Sequence, residues 1–378
     1  MEDEAAHTAF MRQALALAAQ ARGRTAPNPS VGAVLVREGQ VVGRGRTAPP
    51  GGPHAEVVAL HEAGERARGA TLYVTLEPCS HTGRTPPCAP AIAAAGVACV
   101  FAALEDPNPL VNGAGLRFLR EHGIETHVGL LGAEAEMVAE PFLKRVATGL
   151  PFIEMKAALT LDGRAATASG HSRWITGEAA RAWVHARRNI ADAVMVGAGT
   201  ARQDDPELTV RPPELDGRQP LRVVVSASGR LDPALKLFGG PLPGALVMVP
   251  PGIRAAAEAR PAAEQMDRGM SWVEVPQSAE GGVDLRQALA ELARRGVNDV
   301  LVEGGAGLNA ALLRAGLVDR LSVFVAAKLF GGNGLPGFGE LGVEDPAQAV
   351  TLRETRVSQV GDDWLFQGRP SCSGQGRG

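Results

Sequence analysis

The residues best equipped for chemistry lie in two short runs, Pro53-His54-Ala55-Glu56 and Glu77-Pro78-Cys79-Ser80-His81-Thr82-Gly83-Arg84-Thr85-Pro86-Pro87-Cys88. The second run holds two of the chain's four cysteines. A neutral imidazole and two thiolates make a three-ligand zinc site whose fourth position is left for water, and a glutamate two residues after the histidine can move protons there. Zinc would lower the pKa of that water to about 7, so that hydroxide attacks an amidine-like ring carbon while Glu56 carries the proton to a departing amine. That is the layout of hydrolytic deamination. Each piece alone is weak, because His-Ala-Glu occurs by chance and a single buried cysteine is usually core. Their order, with proline before the first cysteine, gives the pattern its specificity.

Positioning these groups makes demands on the surrounding elements. Residues i and i+2 of a regular helix do not share a face, so His54 must sit at the mouth of a helix predicted over Ala55 to Arg66. The Pro- and Gly-rich loop Thr47 to Pro53 delivers it there. Ala70 to Leu76 alternates as a strand and ends at Glu77-Pro78-Cys79, where a second helix can begin and favour a thiolate through its dipole.

In chain order, Thr8 to Arg22 reads as a helix, and Val31 to Val36 with Gln40 to Gly45 as a hairpin around Arg37-Glu38-Gly39. After Cys88 come a short helix to Ala95, a strand from Val97 to Ala103, a helix near Leu116 to His122, a strand at Ile124 to Val128 and a helix from Glu134 to Ala147. The fold class is α/β, with a mostly parallel sheet beyond the first hairpin. Thr148-Gly149-Leu150-Pro151 marks a domain boundary.

From Phe152 a second α/β pattern starts. Strands are predicted near Phe152 to Ala158, Ala193 to Gly197, Leu221 to Ser226, Ala245 to Val249, Trp272 to Val275, Asp299 to Val302, Leu321 to Ala326, Thr351 to Val357 and Trp364 to Gly368. Helices are predicted near Gly177 to Ile190, Ile253 to Arg260, Leu285 to Arg295 and Leu308 to Ala315. No repeat of 20 to 50 residues relates the halves.

The chain has 378 residues and a net charge of −3 with acidic and basic residues mixed. That length suits two domains, and the charge lacks the basic stripe of a nucleic-acid or membrane-surface binder. The expected ligand is a small molecule. The acidic start and the broken apolar stretch after it do not form a signal peptide, and no run of about 18 apolar residues is present, so the reading is cytoplasmic. Four cysteines are too few for a disulfide scaffold of this size. Cys99, inside an apolar run, reads as a buried core thiol, and residues 371–378, which include Cys372, as a disordered tail. His7, His61, His122 and His127 have no ligand-spaced neighbours and read as surface or structural.

In the second half, Val196-Gly197-Ala198-Gly199-Thr200 and Val302-Glu303-Gly304-Gly305-Ala306-Gly307 are glycine-rich turns at strand ends. They suit backbone cradling of a phosphate or dinucleotide, or are plain turns; neither is Gly-x-Gly-x-x-Gly. Arg188 and Arg211 offer guanidinium forks for a sugar phosphate, or are solvated surface arginines.

A departure from Pro-Cys-x-x-Cys is informative, since eight residues separate Cys79 from Cys88. This insertion, with Asn28-Pro29-x-Val31-Gly32 before it and Asp106-Pro107-Asn108-Pro109 after it, resembles the bifunctional pyrimidine deaminase/reductases of riboflavin biosynthesis. Lys156 to Arg164, Ser172 to Thr176 and Asp204-Asp205-Pro206-x-Leu208-Thr209-x-Arg211 resemble the reductase half of that family, and the resemblance runs from about Phe10 to Gly368. It implies a cytidine-deaminase-like α/β/α domain over residues 1–149 and a dihydrofolate-reductase-like α/β domain over 150–370. His54, Cys79 and Cys88 would be the zinc ligands and Glu56 the proton shuttle. Asn28, His81, Arg84 and Asn108 would contact the substrate, although the asparagines could equally serve their own turns.

By the same resemblance NADPH would lie along Ala158, Trp174, Thr200, Ser226 and Gly305, Ala306, Gly307 and Leu308. Ser172, Arg188, Asp204, Leu208, Arg211 and Glu303 would face the substrate, with Lys156, Asp204 and Glu303 as candidates for polarising and protonating the ribosyl group. The implied substrate is a phosphorylated diaminopyrimidine, deaminated and then reduced to the ribityl product, and the family tends to form homo-oligomers through the reductase half. Two competitors are a deaminase of bases with an inactive second domain, and a binding module with a structural ion. The lack of a basic or aromatic stripe opposes the first, and the open fourth zinc position beside Glu56 opposes the second.

Overall fold

How closely helices approach the sheet of the first half is decided by glycine. In the computed structural model, residues 2–83, 85–108, 111–215, 218–239, 244–254 and 269–371 are described. The chain divides into two units, Met1–Leu150 and Pro151–Gly378.

The first unit begins with α1 (Glu2–Ala21), longer at its start than the predicted helix. The acidic Glu4 suits the positive end of the helix dipole there. β1 (Gly32–Arg37) and β2 (Gln40–Arg46) pair antiparallel, with Arg37 opposite Gln40. Glu38 and Gly39 turn the chain at φ 53 and 73, the two left-handed residues of a tight hairpin. Then follow α2 (Ala55–Ala63), β3 (Thr71–Val74), α3 (Cys88–Ala94), β4 (Cys99–Ala102), α4 (Ala114–Glu121), β5 (Glu125–Val128) and α5 (Gly132–Thr148).

The sheet order is β2-β1-β3-β4-β5, parallel from β3 to β5. Alternation along β1 and β3 splits the core. Val34, Val36 and Tyr73 meet Met11, Ala14 and Leu15 of α1, with Ala135 of α5 in the same cluster. Ala33, Leu35, Leu72 and Val74 meet Ala59, Ile92, Leu116 and Leu119 of α2, α3 and α4. This is an α/β/α layering. A Cβ on Gly45 would stand 1.9 Å from the carbonyl oxygen of Ala55, so glycine in β2 lets the first turn of α2 lie against the strand.

Two expectations fail here. No helix begins at Glu77-Pro78-Cys79; the described residues from there to Pro87 are irregular, and α3 opens at Cys88. Pro86 and Pro87 hold the preceding backbone extended, and the Glu77 carboxylate is engaged by distant backbone amides. Cys99 is half-buried rather than core, because β4 alternates and presents Cys99 and Phe101 on the more open side.

The second unit contains β6 (Phe152–Thr160), β7 (Arg164–Ala166), α6 (Glu178–Ile190), β8 (Ala193–Gly197), α7 (Ala198–Asp204), β9 (Leu221–Val225), β10 (Ala245–Val249) and β11 (Met270–Glu274). It continues with α8 (Leu285–Arg294), β12 (Asp299–Val302), α9 (Ala306–Arg314), β13 (Arg320–Ala326), β14 (Leu335–Pro336), β15 (Thr351–Val360) and β16 (Asp363–Ser371). The main sheet runs β11-β10-β9-β8-β12-β6-β13-β16-β15. It is parallel up to β13 and antiparallel through the β16–β15 edge. β10 and β12 are buried throughout, as apolar strands covered on both faces must be.

Glycine misled the reading at 197–200. Gly197 closes β8 and caps α7 in extended backbone, and Gly199 lies inside α7, with Ala198, Thr200 and Ala201 carrying the helix. The short pair β7 and β14 was not anticipated. Most of the helix predicted over Ile253 to Arg260, and residues 372–378 of the tail reading, lie outside the described residues; Ser371 closes β16.

Candidate active sites

His54 is the N-cap of α2, with extended backbone (φ −73, ψ 163) and no capping bond from its side chain. The ring instead faces the two sulfurs. Its Nδ1 stands 3.6 Å from Cys79 Sγ and 3.2 Å from Cys88 Sγ. A tetrahedral zinc with Zn–S near 2.3 Å and Zn–N near 2.0 Å sets N and S donors roughly 3.5 Å apart, so the spacing fits such an ion. Thr85 Oγ1 lies 3.3 Å from Nε2. A tautomer donating from Nε2 to Thr85 leaves the Nδ1 lone pair toward the sulfurs.

Hydrogen bonding from Cys88 holds the Cys79 thiol down to about 4, and the same bond, with burial, pushes Cys88 up. The backbone N–H of Cys88 also donates to Cys79 Sγ at 3.4 Å, so the start of α3 favours a thiolate on Cys79 although Cys79 itself is not helical. Glu56, in the first turn of α2, is 4% exposed, and burial raises its carboxyl to about 7.

These groups open onto a cavity of about 330 Å³. His54, Glu56 and Cys79 line it together with Asn28, His81 and Asn108, as do Thr47, Glu77, Asp106, Phe142 and Arg145. Cys88 lies behind, fully buried. His81 Nδ1 is buried with no hydrogen-bond partner. Arg84 lies outside the described residues. Glu77 organises one wall: Oε2 accepts from the N–H groups of Asp106 (3.1 Å) and Gly113 (2.9 Å), and Oε1 from those of Gly115 (2.9 Å) and Leu116 (3.3 Å). This ties the loop carrying Asn108 and the start of α4 to the strand end that leads into Cys79. Glu77 stands in the run that carries Cys79 but received no role there, and Arg145 was not marked, since nothing in its local spacing points to the cavity.

The second unit holds its own cavity, also of about 330 Å³. Lys156 and Ala158 of β6, Arg188 of α6, Thr200 and Asp204 of α7, Glu303 and Gly305 just after β12, and Ala306 at the start of α9 line it with Ser172, Trp174 and Leu208. Glu303 and Arg188 form a two-armed ion pair at 2.6 and 2.9 Å, and Arg188 also donates to the Thr209 carbonyl at 3.0 Å. That guanidinium fork is therefore engaged by Glu303. Burial lowers the Lys156 ammonium, opposed by Glu303. Burial alone would raise Glu303, yet Arg188 and Lys156 outweigh it and bring the carboxyl below its usual range.

Ser172 Oγ donates to Asp204 Oδ1 at 3.2 Å. Leu208 is buried at φ 55, a strained backbone for a branched side chain. Trp174 is 64% exposed, with the Arg181 guanidinium 4.4 Å over its ring.

Four sequence candidates stand off this cavity. Ser226 is buried and accepts from the Gly229 N–H at 3.0 Å. Gly307 is exposed, Leu308 packs beside Gly197 and Gly304, and Arg211 is exposed and pairs with Glu207 at 3.1 Å. Asn309, not anticipated, lines the cavity, is 1% exposed and has a partnerless Oδ1.

Comparisons with known proteins agree with this layout. Residues 4–104 match the cytidine and deoxycytidylate deaminase zinc-binding region, and residues 151–366 match the RibD C-terminal domain. The chain is 41% identical to the riboflavin biosynthesis protein RibD of Escherichia coli K12 over 365 residues, covering 94% of this chain and 96% of that protein. It is 42% identical to RibD of Haemophilus influenzae, with 94% and 95% covered. Among solved structures it resembles Acinetobacter baumannii RibD at a TM-score of 0.87 and 39% identity, with 97% and 99% of the two chains covered. A diaminohydroxyphosphoribosylaminopyrimidine deaminase/5-amino-6-(5-phosphoribosylamino)uracil reductase from Thermotoga maritima matches at a TM-score of 0.83 and 35% identity, with 98% and 100% covered.

Proposed function

The chain belongs to the RibD family of bifunctional riboflavin-biosynthesis enzymes, and on that premise we propose which of its residues perform the two reactions. The first half is a zinc-dependent deaminase and the second a reductase that draws on NADPH. Deamination exchanges the 2-amino group of a 2,5-diamino-6-ribosylamino-4(3H)-pyrimidinone 5′-phosphate for oxygen, releasing ammonia. Reduction then opens the ribosyl group to ribityl.

In the first cavity His54, Cys79 and Cys88 would hold zinc, whose Lewis acidity makes a water nucleophilic near neutral pH. Glu56 takes that water's proton and delivers it to the departing nitrogen; a buried carboxyl titrating near neutrality suits both halves of the transfer. Asn28, His81 and Asn108 orient the pyrimidine ring, His81 through its partnerless Nδ1.

In the second cavity Ala158, Trp174, Thr200, Gly305 and Ala306 would hold NADPH, which would supply the hydride for C1′ of the ribosyl group. Lys156, Asp204 and Glu303 are the groups able to hold or deliver the accompanying proton. Lys156 is the foremost donor, because burial makes its ammonium more acidic. The observation that carries the deaminase assignment is the convergence of His54, Cys79 and Cys88 beside Glu56. Measuring ammonia release and NADPH oxidation separately tests it: loss of zinc must stop the first and spare the second when deaminated substrate is supplied.

Self-association through the second half is supported by an apolar patch on the β15–β16 edge. Val357 and Phe366 are opposite partners there, and Trp364 lies on the same face as Phe366. They are 51%, 38% and 47% exposed. No described helix is long and apolar enough to cross a membrane. A cytoplasmic location is supported by the thiols that zinc binding requires in reduced form.

A further inference from the structure

A phosphate dianion entering the first cavity meets an unfavourable lining. Glu56, Glu77 and Asp106 all face it, and among the described lining residues Arg145 alone carries a permanent positive charge. The substrate of the deaminase carries a 5′-phosphate, so some cation must offset the carboxylates if that group is to be held.

We propose that Arg145 binds the 5′-phosphate of the deaminase substrate; the inference rests on the deaminase function described above. Arg145 comes from the last turn of α5, a helix that supplies none of the zinc ligands and no part of the proton shuttle. Two contacts orient its guanidinium. Nη2 donates to the Pro27 carbonyl at 2.8 Å, and the group lies 5.8 Å from the centroid of the Phe142 ring, one turn back on the same helix. Pro27 and Phe142 both line the cavity, so the fork is held at its wall. A planar guanidinium presents paired N–H donors that match phosphate oxygens, which a lysine at the same place would meet only as a point charge. His81, whose buried Nδ1 lacks a partner, shows independently that this cavity is built around a polar ligand.

The test compares ammonia release from the phosphorylated substrate and from its dephosphorylated counterpart, using full-length zinc-loaded protein. Wild type should prefer the phosphorylated compound in kcat/KM. Arg145→Gln should shrink that preference about 10- to 100-fold, mainly through KM, the range expected for losing a charge-assisted hydrogen bond. Arg145→Lys should lie between.

An equal loss on both compounds would mean that Arg145 only fastens the Pro27 loop, and the proposal would be wrong; an unchanged preference would overturn it as well. If the glutamine variant fails to retain zinc, the lysine variant decides by the same ratio. A wild-type protein that releases no ammonia from either compound would overturn the deaminase function itself, which is a distinct outcome.

Discussion

Arg188 and Glu303 meet through both arms of the guanidinium, Nε to Oε1 at 2.6 Å and Nη2 to Oε2 at 2.9 Å, with side chains only 11% and 13% exposed. Lys156 is the third charge of this set, half-buried in β6 and acting on both. Removing one member leaves an uncompensated buried charge. Glu303→Gln should therefore destabilise the second unit by about 3 kcal/mol and lower NADPH oxidation at least 100-fold, with ammonia release retained. Calorimetry and the two separate assays check it; a variant that reduces at the wild-type rate removes Glu303 from the site.

The proton shuttle is tested by Glu56→Gln, which keeps the shape of the side chain and removes the titrating group. Ammonia release should fall about 100- to 10,000-fold, the usual worth of a positioned acid/base. Zinc content by elemental analysis and reduction of pre-deaminated substrate should be unchanged. Deamination at more than a tenth of the wild-type rate would exclude Glu56 as the shuttle.

Asp192 predicts a pH dependence of stability. Burial, with Asp299 nearby, raises its carboxyl to about 6 in the folded state, above an unfolded value near 3.8. A raised carboxyl stabilises the fold below the unfolded pKa, and that contribution is lost as pH rises through about 6. The full difference is about 3 kcal/mol by linkage. Asp192→Asn keeps an oxygen for the Asn298 and Asp299 amides, which donate at 2.9 and 3.0 Å. Its stability relative to wild type should thus increase between pH 4 and 8; a flat or falling difference in denaturant titrations contradicts the assignment.

The β15–β16 patch gives a solution experiment. Phe366→Glu places a charge between Val357 and Trp364 on an exposed face, with little cost to the folded monomer. Sedimentation should show a smaller species than wild type at the same concentration. Identical sedimentation would place any self-association elsewhere.

What the sequence revealed follows from how local each signal is. The cluster of His54, Cys79 and Cys88 was legible because its members fall in two short runs whose spacing alone is informative. β8, β10 and β12 match their predicted bounds, since parallel strands buried on both faces read as unbroken apolar runs. α7 was hidden because Gly197 and Gly199 read as a turn, although neither takes a left-handed φ. β7 and β14 are three and two residues long, too short to show a period. Arg145 and Asn309 stayed invisible because only the folded chain brings them to the cavities.

Glu77 shows the same limit most fully and yields the last prediction. Its carboxylate accepts four backbone N–H groups, two on each oxygen, all from residues 106–116. Gly115 allows the approach, since a Cβ there would stand 1.8 Å from the Pro78 carbonyl. Glu77→Gln retains one carbonyl oxygen, so one pair of amides loses its acceptor and faces an NH₂ donor instead. Each such buried group costs about 1 to 3 kcal/mol, and the first unit should lose about 2 to 6 kcal/mol of stability. Because the loop that the substitution loosens carries Asn108 while Cys79 keeps the Cys88 N–H, zinc should stay bound and KM for deamination should rise more than kcat falls. Zinc loss with an unaltered KM would mean that Glu77 serves the ligand rather than the substrate wall.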